Sequence, residues 1–136
     1  MRADNVYYAL MNLRTLILSM LAAFGLTLSA PAMDRWAALS MLESGDNDRA
    51  VGPCGEVSRF QIRPELWPGG NPQNMWESLA AAQAIMKLRL EDFQKTHGHP
   101  PTDFEFYVLW NAPWEADHPS NAVTERARRF SNLVQR

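Results

Sequence analysis

Glu43 is the residue whose type and position most clearly allow chemistry. Trp36 and Leu39 precede it by seven and four residues, so in a helix the three side chains lie on one face. Burial on an apolar face raises the pKa of a carboxyl group, because the charged form loses its hydration. A carboxylic acid that stays protonated near neutral pH can act as the general acid in glycosidic bond cleavage. On spacing alone, a capping or salt-bridged glutamate is the competing interpretation.

The segment that follows this glutamate has the composition of a long loop. Residues 46–70 contain seven glycines and prolines, which predict turns rather than regular helix or strand. The apolar residues Phe60, Ile62, Leu66 and Trp67 predict that the loop is held against a core. Long loops inside compact domains commonly carry functional residues.

Helices are the elements that must position this loop. Residues 33–45 are typical of a first helix, with Asp34 as its N-terminal cap and Gly45 just beyond its end. The strongest helical pattern covers residues 71–98, for which Asn71 is the expected cap. We predict that this segment is the central helix of the domain, with its methionines and Trp76 in the core.

Two further helices complete the predicted fold, which is all-α. Thr102 and Glu105 form a capping box at the start of one helix, and Pro113 should end it with Asn111 in the last turn. Residues 120–134 form an amphipathic helix, and its inward residues are Val123, Ala127, Phe130 and Val134.

The stretch from residue 43 to residue 64 resembles a known family. The string ESG at 43–45 is followed at 50–64 by AVGPCGEVSRFQIRP. This resembles the lytic transglycosylase SLT family of the lysozyme-like superfamily, which has Glu-Ser at a helix end and then AVSxxGAxGLMQIxP at the same spacing. The string YVLWNAPW at 107–114 is similar to the AYNAGP motif of that family. The resemblance covers about residues 36–114.

The resemblance implies a compact lysozyme-like helical domain with a long catalytic-cleft loop after the first helix. Glu43 matches the catalytic glutamate and Gln61 the cleft glutamine that contacts sugar, while Asn111 matches the asparagine. Trp110 stands where the family has tyrosine. The implied substrate-binding residues are Ser44, Glu56, Ser58, Phe60, Gln61, Trp110 and Asn111. Neither a metal nor another cofactor is implied.

Several loop positions depart from the family pattern. Gly52 replaces a serine, Ser58 a glycine and Glu56 an alanine. Phe60 replaces a methionine but still offers an apolar wall to a sugar face. Glu56 is either a second carboxylate near the substrate or a loop residue that is solvated or paired with an arginine, for which Arg59 is the candidate. The glycine of the AYNAGP motif is absent, so the turn after the asparagine must differ.

The resemblance implies an exported peptidoglycan lytic transglycosylase. Glu43 would protonate the oxygen between N-acetylmuramic acid and N-acetylglucosamine. It would then accept the C6 hydroxyl proton as the 1,6-anhydro ring closes. Two alternatives stay open: a lysozyme-type hydrolase with Glu56 as second carboxylate, and a cell-wall-binding domain without turnover. Trp110, Phe60 and Trp67 are candidate stacking faces. We expect the protein to be a monomer and its partner to be the glycan strands of peptidoglycan.

The first 32 residues have the pattern of a secretory signal peptide. Arg14 precedes an apolar run at residues 15–28, and the string SAPA at 29–32 offers an Ala-x-Ala cleavage site. The run is shorter than the roughly 20 residues that span a bilayer, although a retained anchor is the alternative. Translation beginning at Met11 is also consistent with the sequence. We expect an exported protein (periplasmic, envelope-bound or secreted) with a mature domain at 33–136 and no stable membrane insertion after cleavage.

Charge and cysteine content exclude several other classes. A formal net charge of −2 gives no electrostatic argument for nucleic acid binding. Arg126, Arg128 and Arg129 are expected on a solvated helix face. Cys54 is the only cysteine, so an internal disulfide is impossible, and the histidines show no metal-ligand spacing.

Overall fold

The computed structural model describes residues 32–135, so the predicted signal peptide at 1–32 lies outside the described residues apart from its last position. Within this part, the α-helices are α1 Arg35–Ser44, α2 Met75–His97, α3 Asp103–Asn111 and α4 Asn121–Val134. Short 3-10 turns occupy Pro64–Leu66 and Pro113–Glu115. Residues 32–135 form no strand beyond isolated bridges in the long loop, so the all-α class is confirmed for them.

Helix α1 begins and ends at the predicted residues. Asp34 Oδ1 accepts hydrogen bonds from the backbone N–H groups of Trp36 and Ala37, at 2.8 and 3.1 Å. Gly45 follows the helix with a φ of 66°, a left-handed conformation that suits glycine, and its N–H donates to the Met41 carbonyl. Both ends of α1 are therefore fixed by local contacts, which holds its last turn in place.

Helix α2 begins later than predicted. Asn74, not Asn71, is the cap, and its side chain accepts from the backbone N–H of Trp76 at 2.9 Å. Asn71 instead accepts from the Gln73 N–H at 3.0 Å, which makes a local turn ahead of the helix. The predicted end is confirmed, because Gly98 has a φ of 76°.

Helix α3 is the central helix, so the expectation that α2 holds this position is wrong. The residues from Phe106 to Leu109 are all buried, and four consecutive positions cover nearly the whole circumference of a helix. Helix α2 buries Met86 on one face but leaves Trp76 and Leu88 each 70% exposed. The core assignment of Trp76, in the first turn of α2, was therefore also wrong.

The ends of α3 follow the sequence prediction. Thr102 Oγ1 accepts from the Glu105 N–H at 3.3 Å, and the Glu105 carboxylate accepts from the Thr102 N–H at 2.8 Å. This is the predicted capping box. Pro113 lies two residues after Asn111, the last residue of α3, and opens the second 3-10 turn, so the helix ends where predicted.

Helix α4 packs against α3 through the predicted apolar face. Val123, Ala127 and Phe130 are buried, and Val134 is partly buried against the same core. The Phe130 ring stacks on Phe106 with ring centroids 5.6 Å apart. None of the helices within residues 32–135 combines the length and hydropathy needed to cross a lipid bilayer.

Candidate active site

Glu43 lies in the last turn of α1 and lines an open pocket of about 570 Å³. Its side chain is only 8% exposed, so the predicted burial on the apolar face is observed. Gln61, Trp110 and Asn111 line the same pocket, together with Glu56 from the long loop. A nearly buried carboxyl group therefore shares one pocket with several hydrogen-bonding and aromatic side chains.

Two side chains from distant parts of the chain contact the Glu43 carboxylate. The Tyr107 hydroxyl donates a hydrogen bond to Oε1 at 2.7 Å. Arg126 Nη2 lies 3.2 Å from both carboxylate oxygens. Helices α3 and α4 thus meet α1 at this glutamate.

Burial decides the protonation behaviour of Glu43. Loss of hydration raises the pKa of this carboxyl group, and the charge of Glu56 raises it further. The hydrogen bond from Tyr107 and the charge of Arg126 lower it, but the net direction is upward. The Arg126 side chain is 45% exposed, so solvent screens its effect. The C-terminal end of a helix also disfavours a negative charge.

Tyr107 is a permanent hydrogen-bond donor in this site. The residue is fully buried at the centre of α3. Burial, followed by the nearby charge of Glu43, holds the pKa of its phenol far above the ordinary value. The hydroxyl therefore keeps its proton at any physiological pH and directs it to Oε1 of the glutamate.

The long loop presents Gln61 to the pocket through a tight turn. Val57 and Ile62 exchange backbone hydrogen bonds of 2.8 and 2.9 Å, which enclose the four residues between them. Ser58 and Gln61 both have positive φ, at 71° and 51°. The Gln61 side-chain amide donates to the Ser58 carbonyl at 3.0 Å, so the turn also orients this side chain.

Ser44 joins the loop to the end of α1. Its hydroxyl donates to the Arg59 carbonyl at 2.8 Å and accepts from the Asn47 N–H at 3.1 Å. The Arg59 guanidinium forms a two-nitrogen ion pair with Asp48, at 2.6 and 3.0 Å. The predicted pairing of Arg59 with Glu56 is therefore wrong, because the arginine pairs with two other carboxylates. Asp48 is the nearer of the two, and Asp46 Oδ1 lies 3.6 Å from Arg59 Nη1.

Glu56 occupies the space above Gly52. Its Oε2 accepts a hydrogen bond from the Cys54 N–H at 3.0 Å. A Cβ atom added at Gly52 would collide with Glu56 Oε2 and lie only 2.7 Å from Gln61 Oε1. The glycine that replaces the family serine and the glutamate that replaces the family alanine are thus sterically linked.

The predicted site residues divide into two groups. Those that line the pocket are Glu43, Glu56, Gln61, Trp110 and Asn111. Ser44, Ser58 and Phe60 are not among the lining residues, and Ser58 and Phe60 are buried. These three residues make contacts that support the loop and its turn, instead of the substrate contacts predicted for them.

Two apolar loop residues have different outcomes. Trp67 is partly buried against the core, as predicted, and does not line the pocket, so the alternative of a stacking face is not supported for it. Leu66, which was predicted to hold the loop against the core, is 41% exposed and lines the pocket.

Sequence reasoning missed the two partners of Glu43. Arg126 is exposed on α4, as predicted, but its guanidinium also reaches the carboxylate, a contact that the sequence did not indicate. The residue directly precedes the buried Ala127, a position at the edge of the apolar face that allows such a contact. Tyr107 precedes Asn111 by four residues in α3, and that spacing could have indicated a shared helix face.

The pocket is also lined by residues for which the sequence motifs predicted no role. Arg63 lies over the Trp114 ring, with its guanidinium carbon 5.6 Å from the centroid, and both residues line the pocket. Arg89 Nη1 donates to the carbonyls of Leu109 and Trp110 at 2.9 Å each, which caps the end of α3. This arginine therefore stabilises the backbone that carries Trp110.

The described residues hold no candidate metal centre. Among residues 32–135, no group of three His, Cys, Asp or Glu side chains is arranged to bind a metal ion. No family model, no curated protein and no solved structure matches the chain. The resemblance of the sequence to the SLT family therefore stays a prediction, and the pocket geometry carries the functional argument.

Proposed function

We propose that this protein is an exported lytic transglycosylase with a lysozyme-like fold that cleaves the glycan strands of peptidoglycan. One observation carries the proposal: Glu43, with a side chain 8% exposed, lines a pocket with Gln61 and Asn111. These residues correspond to the three functional positions of the SLT pattern. Export fits the proposal, because peptidoglycan lies outside the cytoplasm.

In this mechanism Glu43 acts first as general acid and then as general base. The protonated carboxyl group donates its proton to the oxygen between N-acetylmuramic acid and N-acetylglucosamine, and an oxocarbenium-like transition state develops as the C1–O bond breaks. The C6 hydroxyl oxygen of the same muramic acid then attacks C1 and gives its proton to the ionised Glu43. General acid-base catalysis of this kind contributes about 10²–10⁴-fold to the rate.

The remaining pocket residues serve binding and orientation. The Tyr107 hydroxyl, 2.7 Å from Oε1, fixes the carboxyl group so that the other oxygen can face the substrate. Trp110 and Trp114 offer aromatic faces for sugar rings, and Trp114 is 68% exposed on the pocket rim. Gln61 and Asn111 supply hydrogen-bonding groups for N-acetyl and ring substituents.

A lysozyme-type hydrolase is the second candidate, and the position of Glu56 favours it. Glu56 lines the pocket and acts on the pKa of Glu43 through its charge, so it can serve as the second carboxylate that activates water. In the transglycosylase no such base is needed. The Glu56→Ala variant should therefore lose at most substrate affinity under the first proposal, with kcat retained, and should lose turnover under the second.

The test is a product analysis of purified peptidoglycan after incubation with the purified protein. Mass spectrometry should find 1,6-anhydro-muramic ends, which are lighter by one water than reducing ends. Reducing ends would favour the hydrolase, and binding without any cleavage would leave a cell-wall-binding domain.

Glu43→Gln is the matching substitution, because it keeps shape and removes the proton-transfer group. We expect turnover to fall by at least about 10²-fold, the lower range for general acid-base catalysis, while thermal unfolding shows an intact fold. Glu125→Gln is the control, since this carboxylate on α4 is 73% exposed and pairs only weakly with Arg129. Full activity of Glu43→Gln would refute the assignment.

A further inference from the structure

The ion pair between Arg126 and Glu43 opposes the proposed role of Glu43, although it does not cancel the effect of burial. A guanidinium beside a carboxylate favours its ionised form, whereas a general acid must hold its proton. We propose that Arg126 is a substrate-responsive latch, which pairs with Glu43 in the empty pocket and moves to a carboxylate on the peptide substituent of the incoming glycan. This inference rests on the proposed function and identifies a residue that selects charged peptidoglycan over neutral glycans.

The contact geometry of Arg126 is that of a loose, exchangeable pair. A single nitrogen, Nη2, makes both contacts at 3.2 Å, whereas strong charge-assisted hydrogen bonds measure about 2.7–2.9 Å. Arg59 and Asp48 show the contrast, because two guanidinium nitrogens meet two oxygens at 2.6 and 3.0 Å and the Arg59 side chain is 17% exposed. The Arg126 side chain is 45% exposed, so solvent reaches it while it is paired with Glu43.

The two partners of Glu43 therefore differ in burial and in the length of their contacts. Tyr107 is fully buried and its hydroxyl lies 2.7 Å from the carboxylate, so it stays in place. Arg126 lines the pocket and is reached from solvent. A guanidinium has five N–H donors in one plane and can bind a carboxylate through two nitrogens. Arg126 binds Glu43 through one nitrogen only, so a carboxylate of the substrate can form the better pair.

Departure of Arg126 leaves a site that favours protonated Glu43. The groups that then face this carboxyl are the buried Tyr107 of α3 and the negatively charged Glu56 of the loop. The other charged residues that line the pocket are Arg63, Glu65 and Arg89. Arg89 is bound to the end of α3, and Arg63 lies over Trp114 and near Glu65, so neither replaces Arg126 beside Glu43.

The first experiment titrates the Glu43 carboxyl carbon by NMR in the full chain without ligand. Arg126→Gln should raise the pKa of Glu43, and Arg126→Lys should restore part of the wild-type value. Arg129→Gln is the control, because Arg129 belongs to the same helix but pairs with Glu125. An unchanged pKa of Glu43 in a folded Arg126→Gln variant would overturn the latch.

The second experiment adds ligands to the same titration. A muropeptide fragment, which carries peptide carboxylates, should raise the pKa of Glu43 in the wild type, and a chitin oligosaccharide of equal length should raise it less. In Arg126→Gln this difference should disappear. If both ligands raise the pKa of Glu43 equally in the wild type, the inference is contradicted. This holds even if the first titration shows that Arg126 is paired with Glu43.

Turnover gives the third readout. The ratio of kcat/KM for peptidoglycan to kcat/KM for peptidoglycan with amidated peptide carboxylates should fall roughly tenfold in Arg126→Gln, the size of one charge-assisted hydrogen bond. A ratio that stays unchanged would overturn the selectivity role. If the wild type cleaves neither glycan, the proposed function fails, and the two titrations still decide whether Arg126 is a latch.

Discussion

At the scale of single residues, the function depends on how the Glu43 carboxyl group is surrounded. Burial raises its pKa, and the opposing effects of Tyr107 and Arg126 do not reverse this direction. Burying an ionisable group costs stability unless it is paired, and here the pairing is partial. The site therefore keeps a carboxyl group poised to bind and release a proton.

Gly52 is a residue whose substitution should reveal the geometry of the loop. Gly52→Ser, the family residue, should displace the Glu56 carboxylate and the Gln61 amide, because a Cβ at residue 52 collides with both side chains. We expect kcat/KM to fall about tenfold or more, as misplaced binding groups do. Adding Glu56→Ala in the same chain should recover part of the loss, since it vacates that space.

The single variant Glu56→Ala is the control for this series. If Gly52→Ser alone keeps full activity, the steric link between residue 52 and the pocket does not matter for catalysis. If the double variant is no better than Gly52→Ser, displacement of Glu56 is not the cause of the loss.

Local periodicity predicted the burial of Glu43 but not its partners. The spacing from Trp36 and Leu39 was sufficient, because a helix has a fixed period. Tyr107 and Arg126 lie 64 and 83 residues further along the chain. Contacts at such separations depend on how helices pack, which a local pattern does not contain.

At the scale of elements, the C-terminal end of α2 carries a histidine that responds to pH. His97 Nε2 lies 2.9 Å from Asp117 Oδ1, and its ring stacks on Phe93 at 4.0 Å between centroids. The contact with Asp117, followed by the Phe93 carbonyl, raises the pKa of His97 above 6.5. The pair connects α2 to the segment after the second 3-10 turn.

Asp117→Asn should flatten the pH dependence of stability. A raised histidine pKa contributes stability that is complete below pH 6.5 and is lost as the pH rises through the folded-state pKa. The wild-type melting temperature should therefore fall across that window, and the fall should shrink in Asp117→Asn. Melting curves between pH 5.5 and about 8.5 measure it, since this range brackets the histidine titration. Asp92→Asn, an exposed acid of α2, should leave the slope unchanged.

Helix ends were predictable where one residue type alone satisfied the local geometry. Gly45 and Gly98 have left-handed φ angles that favour glycine, and Pro113 lies two residues beyond the end of α3. The start of α2 was ambiguous, because Asn71 and Asn74 can each cap a helix. Asn71 forms a turn ahead of the helix, and Asn74 caps the helix. The sequence pattern alone does not decide which asparagine takes which role.

At the scale of the whole molecule, one aromatic cluster connects the core to the active site. Phe130 of α4 packs against both Phe106 and Tyr107, with ring centroids 5.6 and 5.4 Å apart. Tyr107 in turn binds Glu43. Packing of α4 on α3 thus sets the position of the hydroxyl that contacts the Glu43 carboxyl group.

Phe130→Ala should lower the free energy of unfolding by about 3–5 kcal/mol, the usual cost of removing a fully buried phenylalanine. Leu88→Ala is the matched control, because that leucine is 70% exposed, and its effect should stay within about 0.5 kcal/mol. Chemical denaturation measures both. Equal effects of the two substitutions would contradict the assignment of Phe130 to the core.

The helical class of the domain followed from the sequence, but its arrangement did not. Each segment with helical spacing of its apolar residues is a helix in the structure. The longest pattern, residues 71–98, predicts the central helix, yet the shorter α3 is the more enclosed one. An amphipathic pattern indicates a surface helix, and the almost wholly apolar run FYVLW was the better indicator of the centre.

The pH dependence of kcat/KM on peptidoglycan tests the central claim most directly. If protonated Glu43 is the active form, kcat/KM must be highest at low pH and fall as the pH rises through the pKa of Glu43, above its ordinary 4.5. Glu43→Gln should show no such titration above background. A rate that increases with pH over this range would mean that the ionised carboxylate is the active form, and the proposed mechanism would be wrong.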